Sequence, residues 1–136
     1  MEAEKVLDLI TEQIDKLNQH PLDDYSGDTL SRVAVRLASY KAGLGRHITI
    51  AKKAKWQAEK ILQEAKANAY KRLKAEVNST DAKELKILEV GKEYDAYIEA
   101  QGWEEALTGV SYNLHDIIDS IKSRLINLQM EMREHD

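Results

Sequence analysis

The sequence predicts an all-α protein, a long helical hairpin with an oligomerising C-terminal helix. Three observations carry this. Apolar residues recur three or four apart through nearly the whole chain, as on one face of a helix, and no segment alternates with strand period. The sole proline, Pro21, stands in a turn-like stretch near the start, so nothing breaks the later helices by missing a backbone N–H. Of 136 residues, 43% are hydrophobic and 32% charged, which suits a globular chain rich in helix formers. This length predicts a single domain, residues 1–136, made of an N-terminal helix (1–19), a hairpin (28–100) and an assembly helix (103–134).

The N-terminal helix brings Val6, Leu7, Ile10, Ile14 and Leu17 to one face, with acids early, at the positive end of the helix dipole. His20-Pro21 ends it, and the loop to Asp28 has turn composition. Asp28 is the expected N-cap of a long helix from about Thr29 to Glu76. Its seam runs Leu30, Val33, Leu37, Tyr40, Leu44, His47/Ile48 and Ala51, then continues mainly through alanines to Ala69. Small residues there let a neighbouring helix come close, and Gly43 and Gly45 mark where the helix could bend or divide. Val77-Asn78-Ser79-Thr80 reads as a turn, with Ser79 or Thr80 capping a returning helix, Asp81 to Ala100, whose face is Leu85, Leu88, Tyr94 and Ile98. Gly102 permits a bend before the last helix, which starts at Trp103. Its seam is Leu107, Val110, Leu114, Ile118, Ile121, Leu125, Leu128 and Met132, with Ile117, Ile126 and Met130 beside it. Leu114, Ile118, Ile121, Leu125 and Leu128 are the expected oligomerisation residues, because a small chain with so long a central helix has more apolar faces than it can cover alone.

Charge is distributed very unevenly. The net charge is −4, yet between Arg32 and Lys74 twelve Lys and Arg stand against Glu59 and Glu64 alone, a balance of +10. The remaining positions hold eight bases and 22 acids, −14. Stepping by sevens from Arg32 gives Arg32, Ser39, Arg46, Lys53, Lys60, Ala67 and Lys74, nearly in line on a helix and opposite the alanine seam. A row of cations with few acids suits a phosphate chain, and Trp56 and Tyr70 in the same stretch suit stacking on bases. The candidate nucleic-acid-binding residues are Arg46, Lys53, Lys55, Trp56, Lys60, Tyr70, Lys71, Arg72 and Lys74. The same row could instead pair with acidic surface on a neighbouring subunit.

Signals for catalysis are weak. With no cysteine there is no thiolate nucleophile, no disulfide and no thiolate zinc site. His115, Asp116 and Asp119 read as the polar flank of the last seam, with no second cluster to complete a metal shell. All-helical nucleotide pyrophosphatases need two acidic pairs on adjacent helices. Here only Asp116/Asp119 has the spacing, while Glu104 and Glu105 are neighbours that point apart. Gly43-Leu44-Gly45 lacks the strand that would make it a phosphate loop. The expectation is a non-enzymatic protein without cofactor or metal. No apolar run approaches the roughly 18 residues of a membrane span. Glu2, Glu4 and Asp8 fall where a secretory signal is basic and then apolar, so a cytoplasmic protein is expected.

The order of several pieces resembles the UvsY-type recombination mediators of T-even phages. They are Leu37-Ala38-Ser39-Tyr40 followed by Leu44, His47 and Ile48, then Ala69-Tyr70-Lys71-Arg72-Leu73-Lys74-Ala75, then Tyr94 and Tyr97. The last runs from Leu114 to Arg124, with Asp119-Ser120-Ile121-Lys122-Ser123-Arg124 the nearest match. The resemblance covers roughly Leu30 to Arg133. It implies a ring-like homo-oligomer that binds single-stranded DNA coated by single-strand-binding protein and helps to load a recombinase, in a host cytoplasm. It implies DNA contact at Lys71, Arg72 and Lys74, and assembly through Leu114 to Leu128. The chain departs from the pattern at Glu76-Val77-Asn78, which carries no aromatic, and in its acidic N-terminal helix. The alternative is a helical oligomeric phage structural or adaptor protein, or an inhibitor, that binds protein partners rather than DNA.

Overall fold

The structure is a computed structural model that describes residues 2–135. Four α-helices and a short 3-10 turn make up the order: α1 (Ala3–Leu17), the turn (Leu22–Asp24), α2 (Gly27–Glu76), α3 (Ser79–Glu89) and α4 (Gly91–His135). No strand occurs among the described residues. None of these helices is long and apolar enough to cross a membrane. The chain groups into two compact units, Met1–His47 with Leu107–Asp136, and Ile48–Ala106.

In the first unit α1 forms because Val6, Ile10 and Leu17 fall on one face and are buried there. Its end is tied down by the Tyr25 hydroxyl, 3.0 and 2.9 Å from the Lys16 and Leu17 carbonyls, the first of which also accepts from the Gln19 N–H at 3.3 Å. Ser26, not Asp28, caps α2: the Thr29 N–H donates to Ser26 Oγ at 3.1 Å. Asp28 lies inside the first turn, where its charge suits the dipole and pairs with Arg32 at 2.8 Å. Leu30, Val33, Leu37 and Leu44 of α2, with Leu107, Leu114, Ile118 and Ile121 of α4, are the buried residues opposite α1's contribution. Each such side chain contributes about 2 kcal/mol by leaving water. Leu125 and Leu128 lie over Gly27, where an added Cβ would sit 3.7 and 3.8 Å from them. Arg124 Nε lies 3.3 Å from Asp23, and its Nη1 lies 3.5 Å from Glu131, so one arginine links the 3-10 turn to α4.

The second unit has a thinner core. Leu62, Ala69 and Val90 are buried together, with Ala65 and Tyr97 packed on them. Asn78, rather than Ser79 or Thr80, caps α3: it accepts from the Asp81 N–H at 2.9 Å and donates back to Asp81 Oδ2 at 3.0 Å. Ser79 and Thr80 occupy the first helical turn instead. The returning helix breaks at Val90, not at Gly102. The Val90 N–H closes α3 on the Lys86 carbonyl at 3.3 Å, and the Val90 carbonyl opens α4 by accepting from Tyr94 at 2.9 Å. This interruption lets buried Ala82, Val90 and half-buried Tyr97 serve the inner face. Leu85, Leu88, Tyr94 and Ile98, the face expected from spacing, are exposed.

Three of the glycines are ordinary helix residues. Gly43 and Gly45 do not interrupt α2, and Gly102 lies within α4. A Cβ at Gly102 would meet nothing within 4 Å. Gly102→Ala is therefore expected to stabilise the chain by about 0.8–1 kcal/mol, the difference in helix propensity, as a rise in denaturation midpoint with unchanged slope. A loss of stability would show that the glycine is required by a contact outside this chain.

Candidate nucleic-acid interface

The sequence places its basic row opposite the alanine seam, and the second unit has that arrangement. Leu62, Ala69 and Leu73 of α2 are buried. At about 100° per residue, Lys53, Lys60 and Lys71 lie on the opposite side. All three are exposed. Among the described residues, none of them makes an ion pair. Trp56, three residues after Lys53 and four before Lys60, is 72% exposed beside them. A large indole left in water at that level is costly and is the kind of platform on which bases stack. Lys52 and half-buried Lys55, with Trp56, Glu59 and Glu104, line an open hollow of about 280 Å³ beside this row. Glu64 is the one acid close to the line, between Lys60 and Lys71.

The other expected contact residues are differently engaged. Arg72 is ion-paired with Glu89 of α3. Tyr70 is half-buried, and its ring carries two ammonium groups, Lys74 Nζ 5.9 Å and Lys86 Nζ 5.6 Å from the centroid. That face of the ring is therefore occupied by cations, which the quadrupole attracts. Lys74 is exposed but shares this contact. Lys86, 16 residues further along, carried no sequence signal for the cluster. Arg46 is exposed and belongs to the first unit, as do Arg36, Lys41 and the Asp28-paired Arg32.

Charge separates within the second unit. Residues 48–76 carry eight bases and three acids, a net +5, and residues 77–106 carry three bases and eight acids, a net −5. The positive charge of this unit is thus carried mainly by its α2 segment.

The expected oligomerisation residues are mostly internal. Leu114, Ile118 and Ile121 are buried in the first unit, and Leu125 and Leu128 are half-buried over Gly27. They stabilise the protomer and present little surface to a second copy. The exposed apolar residues of this part of α4 are Tyr112, Ile126, Met130 and Met132. Trp103, expected at a helix start, lies inside α4 and is partly exposed. No group of three or more His, Cys, Asp or Glu able to hold a metal ion occurs among the described residues. Compared with protein-family models, curated proteins and solved structures, the chain matches none.

Proposed function

We propose that the chain is a non-enzymatic single-stranded DNA-binding protein that uses the outer face of α2. The observation that carries this reading is the line of exposed, unpaired Lys53, Lys60 and Lys71 with Trp56 beside it. Lysines without carboxylate partners gain most from neutralising phosphates and releasing their counterions. The phosphates give affinity without reading sequence, and the indole favours unstacked bases over a duplex. The resemblance to phage recombination mediators extends the proposal to loading a recombinase onto DNA covered by single-strand-binding protein, within a host cytoplasm. Self-association is part of the same proposal, now through Ile126 and Met130 rather than through the buried seam. It would multiply weak phosphate contacts by effective concentration.

Fluorescence anisotropy of a labelled oligothymidylate across a salt series tests the reading. Binding that weakens steeply with salt, and a several-fold preference for the single strand over duplex, is expected. Trp56→Ala should weaken single-strand binding by roughly 5- to 100-fold, the range for one stacked base, and close the gap to duplex. An oligonucleotide that fails to bind at low salt removes the proposal.

A second reading has its own observation. Leu88, Tyr94 and Ile98 are exposed on the acidic side of the second unit, as in an adaptor or structural protein that binds protein partners. Such a protein would keep its partner in salt that disrupts phosphate contacts.

A further inference from the structure

An open groove of about 430 Å³ runs between α2 and α4 of the first unit. Its α2 side is lined by Ala38, Ala42 and Gly45, with no side chain beyond Cβ to obstruct a ligand. An added Cβ at Gly45 would meet nothing within 4 Å. Lys41 on one side, and Ser111, His115, Asp119 and Lys122 on the other, bring their polar groups to the same groove.

Lys41 Nζ stands 3.1 Å from His115 Nδ1. An ammonium only donates, so Nδ1 accepts and the ring proton is on Nε2. That nitrogen lies 3.1 Å from Asp119 Oδ2 and donates to it. Asp119, the one carboxylate lining the groove, is thereby engaged by the imidazole. Lys41 retains two N–H groups. Lys122 and the Ser111 hydroxyl make no hydrogen bond or ion pair among the described residues. Ser120, by contrast, spends its hydroxyl on the Asp116 carbonyl at 3.0 Å. The groove therefore holds unspent donors from two helices and two ammonium groups against one carboxylate, beside the small residues Ala38, Ala42 and Gly45. Its complement is a compact anion with several acceptor oxygens.

We propose that this groove binds a phosphate group, as a mono- or diester, with Lys41 and Lys122 supplying charge and Ser111 a third donor. The site lies in a different unit from the lysine row and does not depend on it. The phosphate can come from a nucleic-acid backbone or from a free phosphate compound, and two titrations separate these sources.

The reporter is the imidazole of His115, followed by NMR at fixed pH and ionic strength and assigned with His115→Asn. Inorganic phosphate replacing chloride is expected to move the His115 resonances saturably. The movement should be lost in Ala42→Glu, which puts a carboxylate on the groove floor at an exposed helix position; circular dichroism checks that this variant keeps its helices. Oligothymidylate is then titrated into a Lys53→Ala, Lys60→Ala, Lys71→Ala protein. Movement of His115 there assigns the groove to backbone phosphate, whereas movement with inorganic phosphate alone assigns it to a free phosphate compound. If neither ligand moves His115, or if Ala42→Glu responds as fully as the parent, the site does not exist. Undiminished oligonucleotide affinity in the triple variant, with an intact response to inorganic phosphate, would fault the lysine row and leave the groove standing.

Discussion

Replacing Lys53, Lys60 and Lys71 together by alanine is expected to lower affinity for a single-stranded oligonucleotide about 100-fold at low salt, at about 1 kcal/mol for each of three lost solvent-exposed phosphate contacts. The salt dependence should flatten as well. Each phosphate contact on a single strand contributes about 0.7 to the slope of log affinity against log salt, so the slope should fall by about 2. The two readouts together separate a phosphate track from a general loss of fold, because a destabilised protein would lose affinity without a smaller slope per bound molecule. Stability should hardly change, since all three side chains are exposed and make no ion pair among the described residues. Arg72→Ala is the internal contrast: that guanidinium is committed to Glu89, so its removal should cost less affinity than any one of the three lysines. Equal affinity and slope in the triple variant would transfer the function to the protein-binding reading.

Leu114→Ala is expected to destabilise the protomer by about 2–5 kcal/mol without altering how copies associate. The side chain is fully buried, so truncation loses its transfer energy and leaves a cavity. Against a typical total of about 5–15 kcal/mol, that is enough to move the melting temperature well down. Ile126→Glu with Met130→Glu is the opposite case. These side chains are 57% and 54% exposed, so the pair should leave the melting temperature nearly unchanged. If copies meet through this part of α4, four carboxylates facing one another across a two-fold contact should reduce the particle mass seen by light scattering. A mass that falls in Leu114→Ala but not in the double variant would return assembly to the buried seam. A mass unchanged in both would place it elsewhere.

The groove beside His115 shows how far a one-dimensional pattern reaches. His115 and Asp119 are one helical turn apart, so their pairing follows from spacing alone. Lys41 is 74 residues away, and only the packing of α2 against α4 brings its ammonium to the imidazole. The same applies to Tyr70, whose neighbour Lys74 is local while Lys86 arrives on α3. The ends of α1 and α2 were legible to within a residue or two, but the break at Val90 was not, and neither were the caps. Ser26 and Asn78 cap because of where the backbone leaves its helical angles, and Asp28, Ser79 and Thr80 are equally good capping types in the wrong place.

What the sequence alone determined is that the chain is helical, which stretches are helices, and that the positive charge lies along α2. These follow from spacing, propensity and composition, which are local properties. What only the tertiary structure decided is which apolar face each helix hides. Leu114, Ile118 and Ile121 turn inward, Leu88 and Ile98 outward, and the chain breaks at Val90 instead of Gly102. The physical reason is that a periodic stripe says a helix has something to bury, whereas the partner helix, by the size of the side chains it offers, selects which residues fit against it.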